Sequence, residues 1–255
     1  MIAVLAIARA TVIEARRNRV AWSLIFFCVV MVLTSFIFQE VTITAFDRIV
    51  RDVGIGAISL FGILLGLFLG VGVVGRDVDR RIVYVMVSKP ISRFQYLVGR
   101  AVGVWLSVAM SLALMAAAFF LECLIYQGPI RLVMVEGLVL LLVEVFVIVS
   151  IAVMASTFMG PLMAAFFTVS AWVIGHFSED IYFAGRHSSS GLVRNCSAAL
   201  FYVMPNLERF NLKSEVSTLK EVGLDRVGGA IAYGALYAVI FLVLAAAFFD
   251  RRDMK

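Results

Sequence analysis

The sequence predicts an all-α integral membrane protein with six transmembrane helices, and three observations lead to that class. Hydrophobic residues make up 63% of the 255 positions and charged residues only 15%, with a mean hydropathy of +1.03, whereas a soluble domain is about one quarter charged. The apolar residues form long runs, and most basic residues lie between or at the ends of those runs. This placement argues against a nucleic-acid binder despite the net charge of +5.

Six runs are long enough to cross a bilayer, which takes about 20 mostly apolar residues. They are residues 20–38, 54–75, 101–126, 132–156, 160–177 and 228–249. The break before the fifth run is short, but Gly160-Pro161 marks a turn, and proline suits the first turn of a helix. We treat 1–255 as one transmembrane domain. The first run is expected to stay as a span, because no small-residue cleavage site follows it.

Residues 1–19 predict a helix that lies in the membrane interface. Ile2, Leu5, Val12 and Ile13 recur near helical spacing, while arginines occupy other positions. A basic amphipathic helix of this kind binds at the level of the lipid headgroups. The alternative is a solvated tail whose basic residues serve only to set topology.

The distribution of positive charge predicts that both termini are cytoplasmic. An even number of spans puts the termini on one side, and that side would hold residues 1–19, 76–100 and 250–255. These parts contain 13 of the 22 Lys and Arg residues and only five of the 17 acids. The positive-inside rule therefore favours the cytoplasm for them.

The segment 178–227 would then be extracytoplasmic and carry helices of its own. Apolar residues from Leu192 to Val203 recur at helical spacing, and Pro205 ends that pattern. A second short helix is predicted over 214–222, capped by the serine that starts it. We expect these helices to form a small cap outside the membrane.

The loop between the second and third spans is basic and contains a proline. Its first part, DVDRRIVYVMV at 77–87, has one apolar helical face with charged residues off that face, which predicts a short amphipathic helix on the cytoplasmic membrane surface. The apolar face comprises Val78, Ile82, Val85 and Met86. Pro90 disfavours helical geometry at Lys89, so this helix should end near Ser88.

A new helix is predicted to begin directly after this corner. Ser92 and Gln95 match the capping box, in which each side chain accepts a hydrogen bond from the other residue's backbone N–H. Ile91 and Tyr96 are placed to form the accompanying hydrophobic staple. No helix breaker follows before the third span. The loop therefore consists of a flat helix, a corner and a helix start, with its basic side chains facing cytosol or lipid phosphates.

The stretch GRDVDRRIVYVMVSKPISRFQYLVGRAVG resembles the second-to-third-span loop of ABC-2 type transporter permeases. The shared features are an acidic-basic start at 77–81, a short surface helix at 82–87, a Ser-Lys-Pro corner at 88–93 and a Gly99-Arg100 pair. The family often has Gly-Thr where this chain has Arg81-Ile82. The overall order of an interfacial helix, six spans, an outside segment before the last span and a basic tail is similar as well.

This resemblance implies partners and a function. Residues 77–87 would be the coupling helix that docks into a separate ABC ATPase subunit, and two permease copies, expected as a homodimer, would form an exporter in a bacterial or archaeal cytoplasmic membrane. ATP and Mg²⁺ would be bound by the partner ATPase, and this chain would bind no cofactor. The implied ATPase-coupling residues are Asp77, Asp79, Arg80, Arg81, Tyr84, Lys89, Pro90, Ser92 and Arg93. An extracytoplasmic accessory protein is a further implied partner. The alternative is a loop that only sets topology.

Glu144 is the acid placed deepest in the predicted bilayer, about 18 Å from the outer end of the fourth span at 1.5 Å per residue. Acids in hydrocarbon are costly and usually face protein or water. We expect Glu144 to line a polar translocation path or to contact a neighbouring hydroxyl. Glu122 and Glu136 are nearer the outer edge, where contact with headgroups is expected.

Gly62, Gly66 and Gly70 follow one another at four-residue spacing in the second span. Small residues at this spacing let two helices approach closely. Packing inside the subunit is the first expectation, and a dimer face is the alternative.

The sequence holds no G-x-x-x-x-G-K-[ST] motif and no catalytic constellation, so enzymatic activity is not expected of this chain. Cys28, Cys123 and Cys196 are scattered, and His176 and His187 lack metal-ligand spacing. Two other classes of function stay open. One is an ATP-independent channel or carrier that uses Glu144, and the other is a membrane assembly scaffold.

Overall fold

The computed structural model describes residues 2–17, 25–31, 33, 46–79, 92–126, 128–188 and 190–251. Apart from turns and short connections, these residues are helical, and no strand occurs among them. The helices are α1 (Ile2–Arg17), α2 (Phe46–Asp79), α3 (Arg93–Tyr126), α4 (Leu132–Phe158), α5 (Pro161–His176), α6 (Ser178–Arg186), α7 (Gly191–Val203), α8 (Lys213–Thr218) and α9 (Leu224–Arg251). A 3-10 helix (Leu207–Phe210) lies between α7 and α8.

The described residues confirm the all-α class, and their long apolar helices are compatible with a membrane protein; the number of six spans stays a prediction. Within the described ranges, α2, α3, α4 and α9 are each long and apolar enough to span a bilayer, and α5 with α6 forms a fifth candidate that bends by 63° between its two helices. Of the predicted first span, 20–38, the structure describes 25–31 and 33, which are helical. Leu114, Phe166 and Leu236 are more than half exposed on the outer surface of the bundle, as expected of side chains that face lipid.

Several helices extend beyond the predicted spans. α2 begins at Phe46, ahead of the span predicted from residue 54. α3 begins at Arg93, as the predicted Ser92 cap requires, and so also extends beyond the span predicted from residue 101. α2 also continues without interruption to Asp79, past the predicted end of the second span at residue 75 and into the predicted surface helix. No helix breaker occurs in 76–79, so backbone hydrogen bonding continues past the end of the apolar run.

α4 lies at the centre of the bundle. It is buried on almost every side, because α2, α3, α5 and α9 all pack against it. Gly62, Gly66 and Gly70 of α2 lie at this contact, and an ideal Cβ added to any of them would come within 2.8 Å of a side chain of α3 or α4. The glycine row therefore lets α2 approach its neighbours within a single chain.

We predict that replacing Gly66 with valine lowers the stability of the bundle. The new side chain would meet Val145 at 2.8 Å and Val149 at 3.1 Å, and overpacking of this kind costs about 1–3 kcal/mol. The measurement is thermal denaturation of the purified protein in detergent. Gly56→Val is the matched control, because an ideal Cβ at Gly56, on the same helix, has nothing within 4 Å. Equal losses in both variants would contradict this account of the packing.

Residues 205–218, which we call the inserted segment, fold back among the long helices. They include the 3-10 helix and α8, and their buried apolar side chains are Leu207, Phe210, Leu212 and Val216. Three glycines on three helices make room for them. An ideal Cβ would lie 2.5 Å from Val216 at Gly137, 2.7 Å from Leu207 at Gly175 and 3.0 Å from Phe210 at Gly234. The inserted segment is thus part of the core.

The predicted helices of the 178–227 segment are confirmed in part. α7 forms where the apolar spacing predicts it and ends before Pro205. The second predicted helix is shorter than 214–222, and Ser214 is not its cap, because α8 already begins at Lys213 with Leu212 as N-cap. It ends at Thr218, where Leu219 adopts a left-handed conformation with φ 53° and the Lys220 N–H bonds the Glu215 carbonyl at 3.0 Å. Such a six-to-one bond is a common helix ending.

Candidate functional site

The corner before α3 has the geometry of a capping box. The Gln95 backbone N–H donates to Ser92 Oγ at 3.2 Å, and the Ser92 backbone N–H donates to Gln95 Oε1 at 3.4 Å. The Tyr96 N–H bonds the Ser92 carbonyl at 3.1 Å. Both orphan N–H groups are satisfied by this reciprocal pair, which defines the start of α3 at Arg93.

The remaining predicted ATPase-coupling residues surround this corner or lie outside the described ranges. Asp77 and Asp79 belong to the end of α2, and Arg93 is the first residue of α3. Arg80, Arg81, Tyr84, Lys89 and Pro90 lie outside the described residues. The surface helix predicted for 77–87 therefore begins as a continuation of α2, and its part beyond Asp79 stays a prediction.

α1 is fastened to α3 through Arg100, and we call this contact the α1–α3 clamp. The buried Arg100 guanidinium donates to Glu14 Oε2 at 2.8 Å and to Thr11 Oγ1 at 3.1 Å. It also lies over the ring of Tyr96, with the guanidinium carbon 5.9 Å from the ring centroid, and Tyr96 stacks on Phe249 of α9. The first turns of α3 are therefore tied to α1 and to the end of α9.

Two glycines of α3 let the α1 backbone approach closely enough for this clamp. An ideal Cβ at Gly99 would lie 2.9 Å from Ile7 Cβ, and one at Gly103 would lie 2.8 Å from the Ala8 carbonyl oxygen. The predicted N-terminal helix is thus present as α1. Its exposed face carries Leu5 and Ile13.

Glu144 lies in a buried polar cluster between α4 and α5. The Trp172 indole N–H donates to Glu144 Oε1 at 3.3 Å, and His176 Nε2 lies 3.6 Å from the same oxygen. The Glu144 residue is only 3% exposed. The expected hydroxyl partner is wrong, because Trp172 and His176 stand one turn apart on the same face of α5 and occupy that position.

The inserted segment covers this cluster from the Leu132 end of α4. Gly137, seven residues before Glu144 and so on the same face of α4, packs against Val216, and Gly175, next to His176, packs against Leu207. Glu208 and Lys213 of the inserted segment act electrostatically on Glu144. A polar group near the middle of a long helix is therefore separated from one end of the bundle by a small apolar core.

The inserted segment also lies near Glu136, since Val216 packs against the neighbouring Gly137. Glu136 is only 7% exposed, so it offers little surface for the expected contact with headgroups. This cover could not be predicted from the sequence because the fitting glycines lie on separate helices. The pairing of Arg100 with Glu14 was not predicted either, although Glu14 is the single acid within residues 1–19.

No group of three His, Cys, Asp or Glu side chains with metal-binding geometry occurs within the ranges that the structure describes. In a scan of protein-family models none matches the chain, and a search of curated proteins gives no significant match.

Proposed function

We propose that the chain is the permease subunit of an ATP-driven ABC transporter, working as an exporter. In this proposal two copies form the translocation path, both termini are cytoplasmic, and separate ATPase subunits dock against the loop that contains residues 77–93. Glu144 supplies the buried polar group of the path. The residues 77–87 act as the coupling helix, and ATP and Mg²⁺ belong to the partner ATPase.

The observation that carries this proposal is the capped corner at Ser92. A loop that only sets topology needs basic residues but no defined geometry, whereas the Ser92–Gln95 pair starts a 34-residue helix at a defined residue. A helix is stiff along its axis, so displacement of the corner moves α3 as a unit. The resemblance of the preceding residues to ABC-2 permeases is the reason why we propose an ATPase as the partner that would move it.

The α1–α3 clamp supports the same interpretation. Arg100 lies two helical turns beyond the corner and is bound to Glu14 and Thr11. A push on the corner would therefore reach α1 as well as α3. Because α1 carries exposed apolar side chains suited to the membrane interface, the clamp would give the moving unit a support at the membrane surface.

We predict that the Pro90→Ala and Ser92→Ala double variant uncouples the ATPase. It removes the turn residue and one half of the capping box, an N-cap change worth about 1 kcal/mol, and leaves the spans intact. A candidate ABC ATPase, taken from the genes that neighbour the gene of this chain, is co-purified with it in lipid, and its ATP hydrolysis is compared with and without the permease. Stimulation of ATP hydrolysis should fall while the amount of permease in the membrane stays unchanged.

Ser190→Ala is the matched control, because Ser190 also precedes a helix but makes no side-chain cap hydrogen bond. Equal stimulation by the double variant and the wild type would contradict the coupling role. Failure to associate with any such ATPase would contradict the whole proposal. Ion flux in liposomes that contain this chain alone would favour a channel or carrier. Co-purification with partner proteins, without ATP-dependent movement of cargo, would favour an assembly scaffold.

A further inference from the structure

We propose that Glu144 and His176 form a site that binds one exchangeable proton inside the membrane domain. The two side chains come from α4 and α5, with Glu144 Oε1 and His176 Nε2 3.6 Å apart. The inference deepens the proposed path by naming the ligand of its polar group, and in that respect it rests on the proposed function. Both side chains of the site belong to this chain, so the site itself needs no partner subunit.

The hydrogen bond at the other side of the imidazole ring defines which nitrogen carries hydrogen. His176 Nδ1 lies 3.2 Å from the Trp172 backbone carbonyl oxygen. A carbonyl only accepts hydrogen bonds, so Nδ1 must be the donor and must keep its hydrogen. In neutral His176, Nε2 is therefore an unprotonated acceptor.

The carboxylate opposite is also an acceptor. Ionised Glu144 has no hydrogen to donate, and its Oε1 already receives the Trp172 indole N–H. Neutral His176 and ionised Glu144 would therefore place two lone pairs against each other in a buried site, where unsatisfied polar groups are costly. One added proton removes the conflict, whether it is carried by the carboxyl or by Nε2.

A second proton is disfavoured for the opposite reason. Protonated Glu144 beside protonated His176 would be a buried net positive charge with a hydrogen on each of the facing atoms, and buried charges are stable only when they are paired. The pair is therefore balanced with a single proton, which can move from carboxyl oxygen to imidazole nitrogen without changing the total charge.

The charged groups around the pair have opposite signs and oppose each other in their effect on its proton. On the inserted segment, Glu208 and Lys213 act on both Glu144 and His176, with opposite signs. α2 presents its glycines to Val145, and α3 presents the Trp105 indole to the Phe146 carbonyl. α9 packs its Gly234 against Val143, the residue before Glu144.

The inserted segment controls access to the proton. It packs on Gly137 and Gly175, one on each of the two helices that carry the pair. A proton would exchange with water when the inserted segment moves away from these glycines, and it would be held while the segment is seated. Such a movement would also carry away Glu208 and Lys213, the two charged groups of the segment that act on the pair.

Infrared difference spectroscopy of the full chain in lipid, recorded between two pH values in H2O and D2O, tests the site. We expect a carboxylic-acid carbonyl band that shifts in D2O. Glu144→Gln should abolish the band while the protein stays folded, since its amide can donate to Nε2 in place of the proton. His176→Phe should raise the band several-fold, because Glu144 then holds the proton alone, and His176→Gln gives the same test if that variant does not fold.

Glu136→Gln is the matched control, as it removes another buried glutamate of α4 and should leave the band unchanged. Identical spectra from the wild type and Glu144→Gln would overturn the proposal. A band whose intensity stays unchanged in both His176→Phe and His176→Gln would overturn it as well. Because no ATPase is present, this failure would leave the coupling experiment unaffected. Failure of coupling alone would likewise leave the infrared result intact.

Discussion

Replacing Gly103 with valine is expected to release α1 from α3. An ideal Cβ at this position already lies 2.5 Å from Thr11 Cβ and 2.8 Å from the Ala8 carbonyl oxygen. The second neighbour is backbone, so a rotamer change cannot relieve the contact, and valine adds two more methyl groups. Overpacking costs about 1–3 kcal/mol where neighbours can adjust, and here the easier adjustment is for α1 to move away. The hydrogen bonds from Arg100 to Glu14 and Thr11 would be lost with it.

Cysteine labelling measures this release directly. Ala8→Cys, in a chain without its native cysteines, places a thiol at a position that is only 2% exposed. Its reaction with a water-soluble maleimide should be slow in the parent and much faster with Gly103→Val. Gly229→Val is the control, because an ideal Cβ there has nothing within 4 Å. Protection that persists in the Gly103 variant would show that α1 does not depend on this contact.

Replacing Phe210 with alanine is expected to unseat the inserted segment. Phe210 is 1% exposed, fills the space left by Gly234 and packs against Tyr233. Removing a buried phenylalanine side chain costs about 3–5 kcal/mol. The segment keeps three smaller buried apolar side chains, Leu207, Leu212 and Val216, and the Asn206 N–H bond to the Tyr233 hydroxyl at 2.9 Å, which is worth about 1 kcal/mol. Because the lost side chain is the largest of its anchors, the segment should leave its seat before the long helices separate.

The reactivity of an introduced cysteine with a water-soluble maleimide again measures whether the segment has left its seat. Ser217→Cys in the same cysteine-free background lies at a position that is 1% exposed and should become reactive in the Phe210→Ala variant. Phe183→Ala is the matched control, because Phe183 also lies in the 178–227 segment but is 58% exposed. If both alanine variants leave the thiol protected, the inserted segment is held by contacts other than Phe210.

Local signals predict the capped corner and the apolar helices well. Ser92 and Gln95 lie three residues apart, so their reciprocal hydrogen bonds follow from the sequence pattern. The apolar periodicity from Leu192 to Val203 likewise predicts α7, and Pro205 predicts its end. In each case the residues that decide the structure are near neighbours in the chain.

The two buried polar contacts could not be predicted in this way. Glu14 and Arg100 are 86 residues apart, and Glu144 and Trp172 are 28 apart on different helices. No periodicity within one helix specifies which residue faces which across an interface. The expectation of a hydroxyl beside Glu144 failed for this reason, since only the docking of α5 on α4 decides the partner.

The burial of the inserted segment could not be predicted for a related reason. Asn206, Glu208 and Arg209 make this stretch look solvent-exposed, and its extracytoplasmic location stays a prediction. The glycines that accommodate it lie on α4, α5 and α9, and each is unremarkable in its own helix. The segment is buried because these three glycines come together around it when the helices pack, and that arrangement is not visible in any single helix.

The α1–α3 clamp also has a consequence for the order in which the protein is made. The ribosome completes α1 first, but its partner Arg100 is added 86 residues after Glu14. During that interval Ile7, Ala8 and Ala15, which are buried in the finished protein, have no protein surface to cover them, because domains form from the N-terminus as the nascent chain emerges. The lipid interface is the available substitute, so α1 would settle on the membrane before it finds α3. The nascent chain thus spends part of its synthesis in an arrangement that the mature protein no longer has.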